Sequence, residues 1–279
     1  MATAWHNGFW VDDTTQAFNL NHRITRYGDG CFETILVMNN QPAWAELHYK
    51  RLTKSALLLG LILPADFSFS SFQSTIIQLS EKHTAPYQRV RIVVYRNGSG
   101  TYLPTSNYAG VFITSQAHAF ETECKQLANV GIYETIAKPM NALSALKSSN
   151  ALLYVLASIF AKENSFDDVV LLNAAGRVCE ATSSNLFVIK DEKIFTPSVT
   201  EGCVEGVLRT VLLNHFKMEE TQITVEQLAT ADSVFLSNSI QGIRAIRSIN
   251  GVNYAIEPVL SIHQQYLELL SANIGKPLR

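Results

Sequence analysis

Apolar and polar residues recur along the chain at two spacings, and the switches between them mark the elements. Cys31–Val37 (Cys-Phe-Glu-Thr-Ile-Leu-Val) has strand composition and runs into Asn39-Asn40, a turn signal. From Trp44 to Leu59, the residues Leu47, Leu52, Ala56, Leu57 and Leu59 recur at helical spacing, with Gly60 as the stop. Phe72–Lys82 predicts a second amphipathic helix. Arg89–Tyr95 and Val111–Thr114 read as strands around Asn97-Gly98-Ser99-Gly100. Asn150–Lys162 predicts a helix with Leu152, Leu153, Val155, Leu156, Ile159 and Phe160 on one broad face, capped by Ser148 or Ser149. Short strands follow at Val169–Leu172, Val178–Thr182, Leu186–Ile189 and Ile194–Thr196, the first two joined by Asn173-Ala174-Ala175-Gly176. Gly206–Phe216 and Ile262–Leu270 read as helices, with Ser233–Leu236 a strand between them.

Strands and helices are mixed without strict alternation, so the expected class is α/β of the mixed, α+β kind. The polar stretch Gln116–Asn129 has mixed charge and little periodicity. It sets the expected organisation: a smaller N-terminal α/β domain over 1–115, a linker region over 116–129, and a larger C-terminal domain over 130–279.

Composition narrows the function classes. The 279 residues are 47% hydrophobic and 16% charged, against about 25% charged in an average globular chain. So thin a coat of charge predicts surface buried against a partner. The net charge is −2 with no basic block, which argues against nucleic-acid binding. Apolar runs such as Ser55–Leu63 fall far short of the ~20 residues of a membrane span. Met1–Trp10 has neither a charged start nor an apolar run, so no signal peptide is expected. Cys31, Cys124, Cys179 and Cys203 lie far apart, as buried side chains of a reducing compartment do, and the expected location is cytoplasmic. The seven histidines show no metal-type spacing, and there is no Gly-x-Ser-x-Gly elbow. No metal site is expected.

A few residues could carry chemistry. Lys147 lies between an apolar approach and a helix start, where a desolvated ammonium becomes an amine nucleophile; the same position suits a snorkelling lysine. Glu180 is a carboxylate in the otherwise small, apolar strand Val178-Cys179-Glu180-Ala181-Thr182. Alternation allows it to face outward, or it can hold a protonated ring nitrogen by a charge-assisted hydrogen bond. Arg51 shares its helix with the Glu46/Lys50 pair of a solvated stripe, and its fork also suits a phosphate. Glu205-Gly206-Val207-Leu208-Arg209 opens a helix, where free N–H groups favour an anion. Leu236-Ser237-Asn238-Ser239-Ile240-Gln241-Gly242 is a polar turn after a strand.

Taken in order, these segments resemble the class IV (fold type IV) pyridoxal-phosphate enzymes, the family of branched-chain aminotransferases, D-amino-acid aminotransferases and 4-amino-4-deoxychorismate lyases. The resemblance spans nearly the whole chain. It is carried by Tyr27-Gly28-Asp29-Gly30-Cys31-Phe32-Glu33-Thr34, His48-Tyr49-Lys50-Arg51-Leu52, Lys147-Ser148-Ser149-Asn150, Gly176-Arg177-Val178-Cys179-Glu180, Ser184-Asn185-Leu186-Phe187, Thr196-Pro197 and Gly206-Val207-Leu208-Arg209. It implies two α/β domains with pyridoxal 5'-phosphate between them, and a homodimer. It implies Lys147 as the lysine that bonds the cofactor and moves the substrate Cα proton. Glu180 would keep the pyridine nitrogen protonated. Arg51 would clamp the phosphate, with the N–H groups of Val207 and Leu208 and the Asn238-Ser239 turn. Tyr27 and Phe32 would line the substrate side, and Arg91 and Arg96 would anchor a dicarboxylate.

Within that family, Asn238-Ser239-Ile240-Gln241 resembles the Asn-Ser-x-Gln turn of many aminodeoxychorismate lyases, and Gly28-Asp29-Gly30-Cys31-Phe32 is close to the lyase form. Leu152 stands where branched-chain enzymes carry a tyrosine. The stretch 97–104 lacks the arginine of the lyase loop, and Gly242 replaces a glutamate common in several branches. The expected activity is 4-amino-4-deoxychorismate lyase, releasing pyruvate and forming 4-aminobenzoate. The alternatives are an aminotransferase for branched-chain or D-amino acids and a non-catalytic binding relative.

Overall fold

The computed structural model describes residues 3–12 and 21–275. They form two compact units. One takes the described residues up to Phe120 together with Lys147–Asn150 and Asn273–Gly275; the other takes Glu121–Leu146 and Ala151–Ala272. The division falls at Phe120/Glu121, Lys125–Leu127 is a strand, and the segment bearing Lys147 groups with the N-terminal residues.

The first unit contains β1 (Thr3–His6), β2 (Phe9–Asp12), α1 (Arg23–Tyr27), β3 (Gly30–Met38), β4 (Gln41–Pro42), α2 (Ala45–Leu58), α3 (Phe69–Glu81), β5 (Tyr87–Arg96) and β6 (Ala109–Ala117). Its antiparallel sheet has the order β2-β1-β6-β5-β3-β4. β3 and β4 join through Asn39 and Asn40, both at positive φ, the geometry of a tight hairpin turn. Alternate residues of β3 and β5 (Ile35, Val37, Val90, Ile92, Val94) pack with Leu52 and Ala56 of α2 and Phe72, Ile76 and Leu79 of α3 into one buried core. The periodicity of both helices is thus met by a sheet face.

The second unit continues with β7 (Lys125–Leu127), β8 (Val130–Lys138), α4 (Leu152–Glu163), β9 (Asp168–Asn173), β10 (Val178–Ala181), β11 (Asn185–Lys190), β12 (Lys193–Pro197), α5 (Val207–His215), β13 (Met218–Thr221), α6 (Val225–Ala229), β14 (Ser233–Asn238), β15 (Gly242–Ile246), β16 (Ser248–Ile249) and β17 (Val252–Asn253). The last helix is α7 (Glu257–Ile274). Two mixed sheets run β10-β9-β8-β16-β17 and β13-β12-β11-β14-β15-β7, and Val170, Leu172, Val178, Leu186, Val188, Val234 and Leu236 pack together in one core. The mixed α/β class holds.

α4 departs from its expected face. Its N-cap is Ala151 without a side-chain hydrogen bond, not Ser148 or Ser149. Only Ala157 and Ala161 are fully buried, against Tyr133, Val169 and Leu171. Leu152, Val155 and Ile159 are 69%, 51% and 47% exposed. Small residues let this helix approach its sheet closely, leaving larger apolar ones outside. No helix among the described residues is long and apolar enough to cross a membrane.

Candidate active site

In the first unit, residues 147–149 lie antiparallel to the start of β3. Phe32 N–H donates to Lys147 O and Ser149 N–H to Gly30 O, both at 2.9 Å, with Cys31 opposite Ser148. Asn150 Nδ2 donates to the carbonyl of Gly28 at 3.3 Å, and Gly28 ends α1 in the left-handed region that glycine adopts freely. Sheet pairing, not a loose loop, therefore sets the backbone of Lys147. Its Nζ lies 4.5 Å from the centre of the Phe32 ring, and the Arg91 guanidinium carbon lies 3.9 Å from the same centre. Both distances run from one point, so the two cationic groups are at most about 8.4 Å apart. Burial and the charge of Arg89 lower the pKa of Arg91; a bound carboxylate would offset both.

On the alternate side of β3, Glu33 meets α2. Arg51 Nε and Nη2 donate to its two oxygens at 2.7 and 2.6 Å, and His48 Nδ1 lies 2.6 Å from Oε2. Glu33 and His48 are fully buried. Burial alone would raise the Glu33 pKa, but the charge and hydrogen bonds of Arg51, with the His48 contact, outweigh it and hold the carboxyl at about 2. Burial lowers the pKa of His48, and because an ionised carboxylate can only accept, the ring Nδ1–H donates to it. The Arg51 fork is fixed by this pairing.

Arg96, expected as a substrate anchor, is engaged by groups of the protein itself. It donates to Asp29 Oδ2 at 3.0 Å, Asn107 Oδ1 at 2.5 Å and the Leu59 carbonyl at 2.6 Å, and is 8% exposed. Those contacts tie the end of α2 to the Asp29 turn. Tyr27 sits with Tyr102, ring centres 5.8 Å apart, and with the Arg23 and Arg26 guanidinium groups at 5.1 and 5.5 Å.

In the second unit, Glu180 is 3% exposed on β10. The β9–β10 register shifts between Val178 and Glu180, and such a bulge re-aims the next side chain. That is why simple alternation misleads here. Glu180 Oε1 contacts Lys138 Nζ and accepts from Tyr154 Oη at 2.8 Å, while Oε2 accepts from Val204 N–H at 2.9 Å. Burial and the Glu180 charge push the Tyr154 pKa up, which keeps it a donor. Val204 O accepts from Asn185 Nδ2 at 2.8 Å. A Cβ on Gly206 would stand 1.9 Å from Asn185 Oδ1. Only glycine fits there, so α5 starts with no side-chain cap and its first N–H groups, including Val207 and Leu208, are free of one.

Asn185 pairs with Ser237 between β11 and β14, and Asn238 Nδ2 donates to Ser184 Oγ at 2.9 Å. The Asn238 carboxamide oxygen accepts from the N–H groups of Ile240 and Gln241 at 2.9 and 2.7 Å, shaping the turn that carries Ser239. Behind it, Arg244 bridges Asp168 and Ser184 at 3.1 and 2.9 Å. Glu180, the α5 start and the Asn238-Ser239 turn thus meet around Asn185. Within the first unit, Lys147, Phe32 and Arg91 come together, and Arg51 meets Glu33.

Sequence reasoning missed Glu33, Lys138, Tyr154 and Asn185 as members of these clusters. Glu33 carries the same signal as Glu180, a lone carboxylate in an apolar strand. Cys31, Cys179 and Cys203 are buried. Burial pushes the Cys31 and Cys203 thiols up to about 12 and that of Cys179 further, so none is a nucleophile. No metal-type cluster occurs among the described residues.

The sequence profile of the family described as "Amino-transferase class IV" matches residues 30–249. The chain belongs to this family. Its members are pyridoxal-phosphate-dependent enzymes. The chain is 28% identical to the aminodeoxychorismate lyase of Vibrio harveyi over 89% of its own length and 94% of that protein's. It is 28% identical to the D-alanine aminotransferase of Bacillus licheniformis, covering 88% and 87%. Among solved structures, the "Putative 4-amino-4-deoxychorismate lyase" of Legionella pneumophila superposes with a TM-score of 0.84 at 27% identity, covering 94% of this chain and 97% of that one.

Proposed function

We propose that this class IV enzyme is a pyridoxal-phosphate-dependent 4-amino-4-deoxychorismate lyase. The donor chemistry fits the cofactor at two points. An ionised carboxylate has about four lone-pair positions; three donors meet Glu180, leaving one for a ring N–H. The uncapped α5 start, which a Cβ at position 206 would block, suits a phosphate. Bound there, the cofactor supplies an electron sink for the reacting carbon of the substrate. Lys147 would hold the cofactor through its amine and, once the substrate amine has taken its place, the freed amine would move the proton of that carbon. The N–H groups of Val207 and Leu208 and the Asn238-Ser239 turn would hold the phosphate, and the family resemblance assigns Arg51 to it as well, although its fork is paired with Glu33.

The observation that carries the lyase reading is the stack of Lys147 and Arg91 on Phe32. It sets an anion-binding fork and an aromatic face within reach of the amine, as a substrate with a six-membered ring and two carboxylates requires. Arg96 is left to its structural contacts, Arg91 takes a substrate carboxylate, and Tyr27 lines the same side. Similarity to the aminodeoxychorismate lyase of Vibrio harveyi and to the "Putative 4-amino-4-deoxychorismate lyase" of Legionella supports the reading. The equal identity to a D-alanine aminotransferase favours a second reading, amino transfer to a 2-oxo acid. The exposed Leu152, Val155 and Ile159 of α4 support a homodimer, and the buried free thiols support a cytoplasmic site of action.

The deciding experiment incubates the purified enzyme with aminodeoxychorismate beside a panel of amino acids. Pyruvate and 4-aminobenzoate in equal amounts are expected. Failure to form them, with an amino acid bleaching the cofactor band and a 2-oxo acid restoring it, overturns the lyase reading in favour of the transaminase.

A further inference from the structure

Glu180 is held more heavily than direction alone requires. Lys138 is the last residue of β8 and Glu180 lies on β10, with β9 between them in one sheet. Both are 3% exposed. Tyr154 and the Val204 N–H already fix the carboxylate from either oxygen. Lys138 adds what neutral donors cannot, a full positive charge in contact with Oε1. A buried ion pair is a poor device for stability, since a well-packed apolar pair serves as well or better. Its charge therefore calls for a use.

That use follows from position. When a buried carboxyl group and a pyridine nitrogen share one proton, the pair carries no net charge with the proton on either atom. The two forms differ only in charge separation. An ammonium in contact with the carboxylate lies closer to its negative oxygens than to the ring beyond them. Its attraction to the near charge exceeds its repulsion from the far one, and in a dry site this difference is weakly screened. The form with the proton on the ring is favoured. We propose that Lys138 is a positioning residue that sets the proton shared by Glu180 and the cofactor's ring nitrogen on the nitrogen. This rests on the cofactor reading above.

The test loads wild type, Lys138→Met, Lys138→Gln and Lys138→Arg with pyridoxal 5'-phosphate labelled with 15N in its ring. The ring 15N NMR shift and the cofactor dissociation constant are then read. Wild type and Lys138→Arg are expected at the protonated-ring shift. Lys138→Met and Lys138→Gln are expected to move toward the unprotonated shift and to bind the cofactor at least tenfold more weakly. Should the methionine variant fail to fold, the glutamine variant, which keeps a donor without the charge, carries the same expectation. An uncharged variant that keeps the wild-type 15N shift overturns the inference, even if its melting temperature falls, because a mere brace would change stability alone. A wild type that binds no cofactor overturns the cofactor reading and this inference with it.

Discussion

Replacing Glu33 with Gln tests whether the Arg51 fork is held by a charge pair. In the folded protein Arg51 and His48 keep the Glu33 carboxyl at about 2, against 4.5 ordinarily. At about 1.4 kcal/mol per tenfold, that depression contributes about 3 kcal/mol of stability at neutral pH. The folded pKa lies below the unfolded one, so the unfolded chain takes up the proton first as the solution is acidified. The contribution is complete above pH 4.5 and is lost on the way down to pH 2. By pH 3 about 1 kcal/mol remains, a fall of about 2 kcal/mol from its value at pH 5. Glutamine has nothing to titrate at this position. The stability gap between wild type and Glu33→Gln should start near 3 kcal/mol at pH 5, about the cost of breaking a buried pair, and narrow by about 2 kcal/mol at pH 3. Guanidinium unfolding at the two pH values, followed by tryptophan fluorescence, measures it cleanly, because Trp5, Trp10 and Trp44 all lie in the first unit. A gap that stays constant with pH would refute the reasoning.

Other substitutions probe the remaining parts. Lys147→Ala should abolish the visible absorption band of bound cofactor, and a surviving band would remove Lys147 from its role. Gly206→Ala drives a methyl group into Asn185 and should cost about 1–3 kcal/mol while weakening cofactor binding several-fold. Thermal melts and cofactor titration check the two effects. Arg91→Leu should raise KM for a dicarboxylate on the order of tenfold to a hundredfold, as loss of a charge-assisted bond of about 1.5–3 kcal/mol implies, with little change in Tm. Arg96→Leu should do the reverse, lowering stability by about 3 kcal/mol and leaving KM near the wild-type value; a large rise in KM would return Arg96 to the substrate.

Elements with a clean period were legible in the sequence. β3, β5 and α2 fall within a residue or two of their expected bounds, since each packs one regular face on the same core. β7 was hidden in a polar stretch because its parallel pairing with β15 uses backbone groups that composition does not report. The helix of α4 was legible but its inner face was not, as apolar residues surround it and close approach selected the alanines. At the candidate site, Lys147, Glu180 and Arg51 were singled out by the family resemblance, since type and context alone left each with an ordinary structural reading. Lys138 and Tyr154 were not, because each acquires its meaning from a partner brought close only by folding; Glu33 carried the signal of a lone carboxylate in an apolar strand but was passed over.

The pairing of residues 147–149 with β3 bears on how the chain emerges during synthesis. Beyond its short contact with β4 at Val37 and Met38, β3 has β5 on one side only. When the ribosome has released residues up to Phe120, Phe32 N–H and Gly30 O still lack the partners that arrive with Lys147 and Ser149. The nascent first unit therefore displays an open strand edge, the kind of surface on which another chain can dock wrongly. A fragment stopped at Phe120 should aggregate through that edge, and one extended to Asn150 should do so less. The segment that carries Lys147 thus also serves as the seal on the sheet that formed before it.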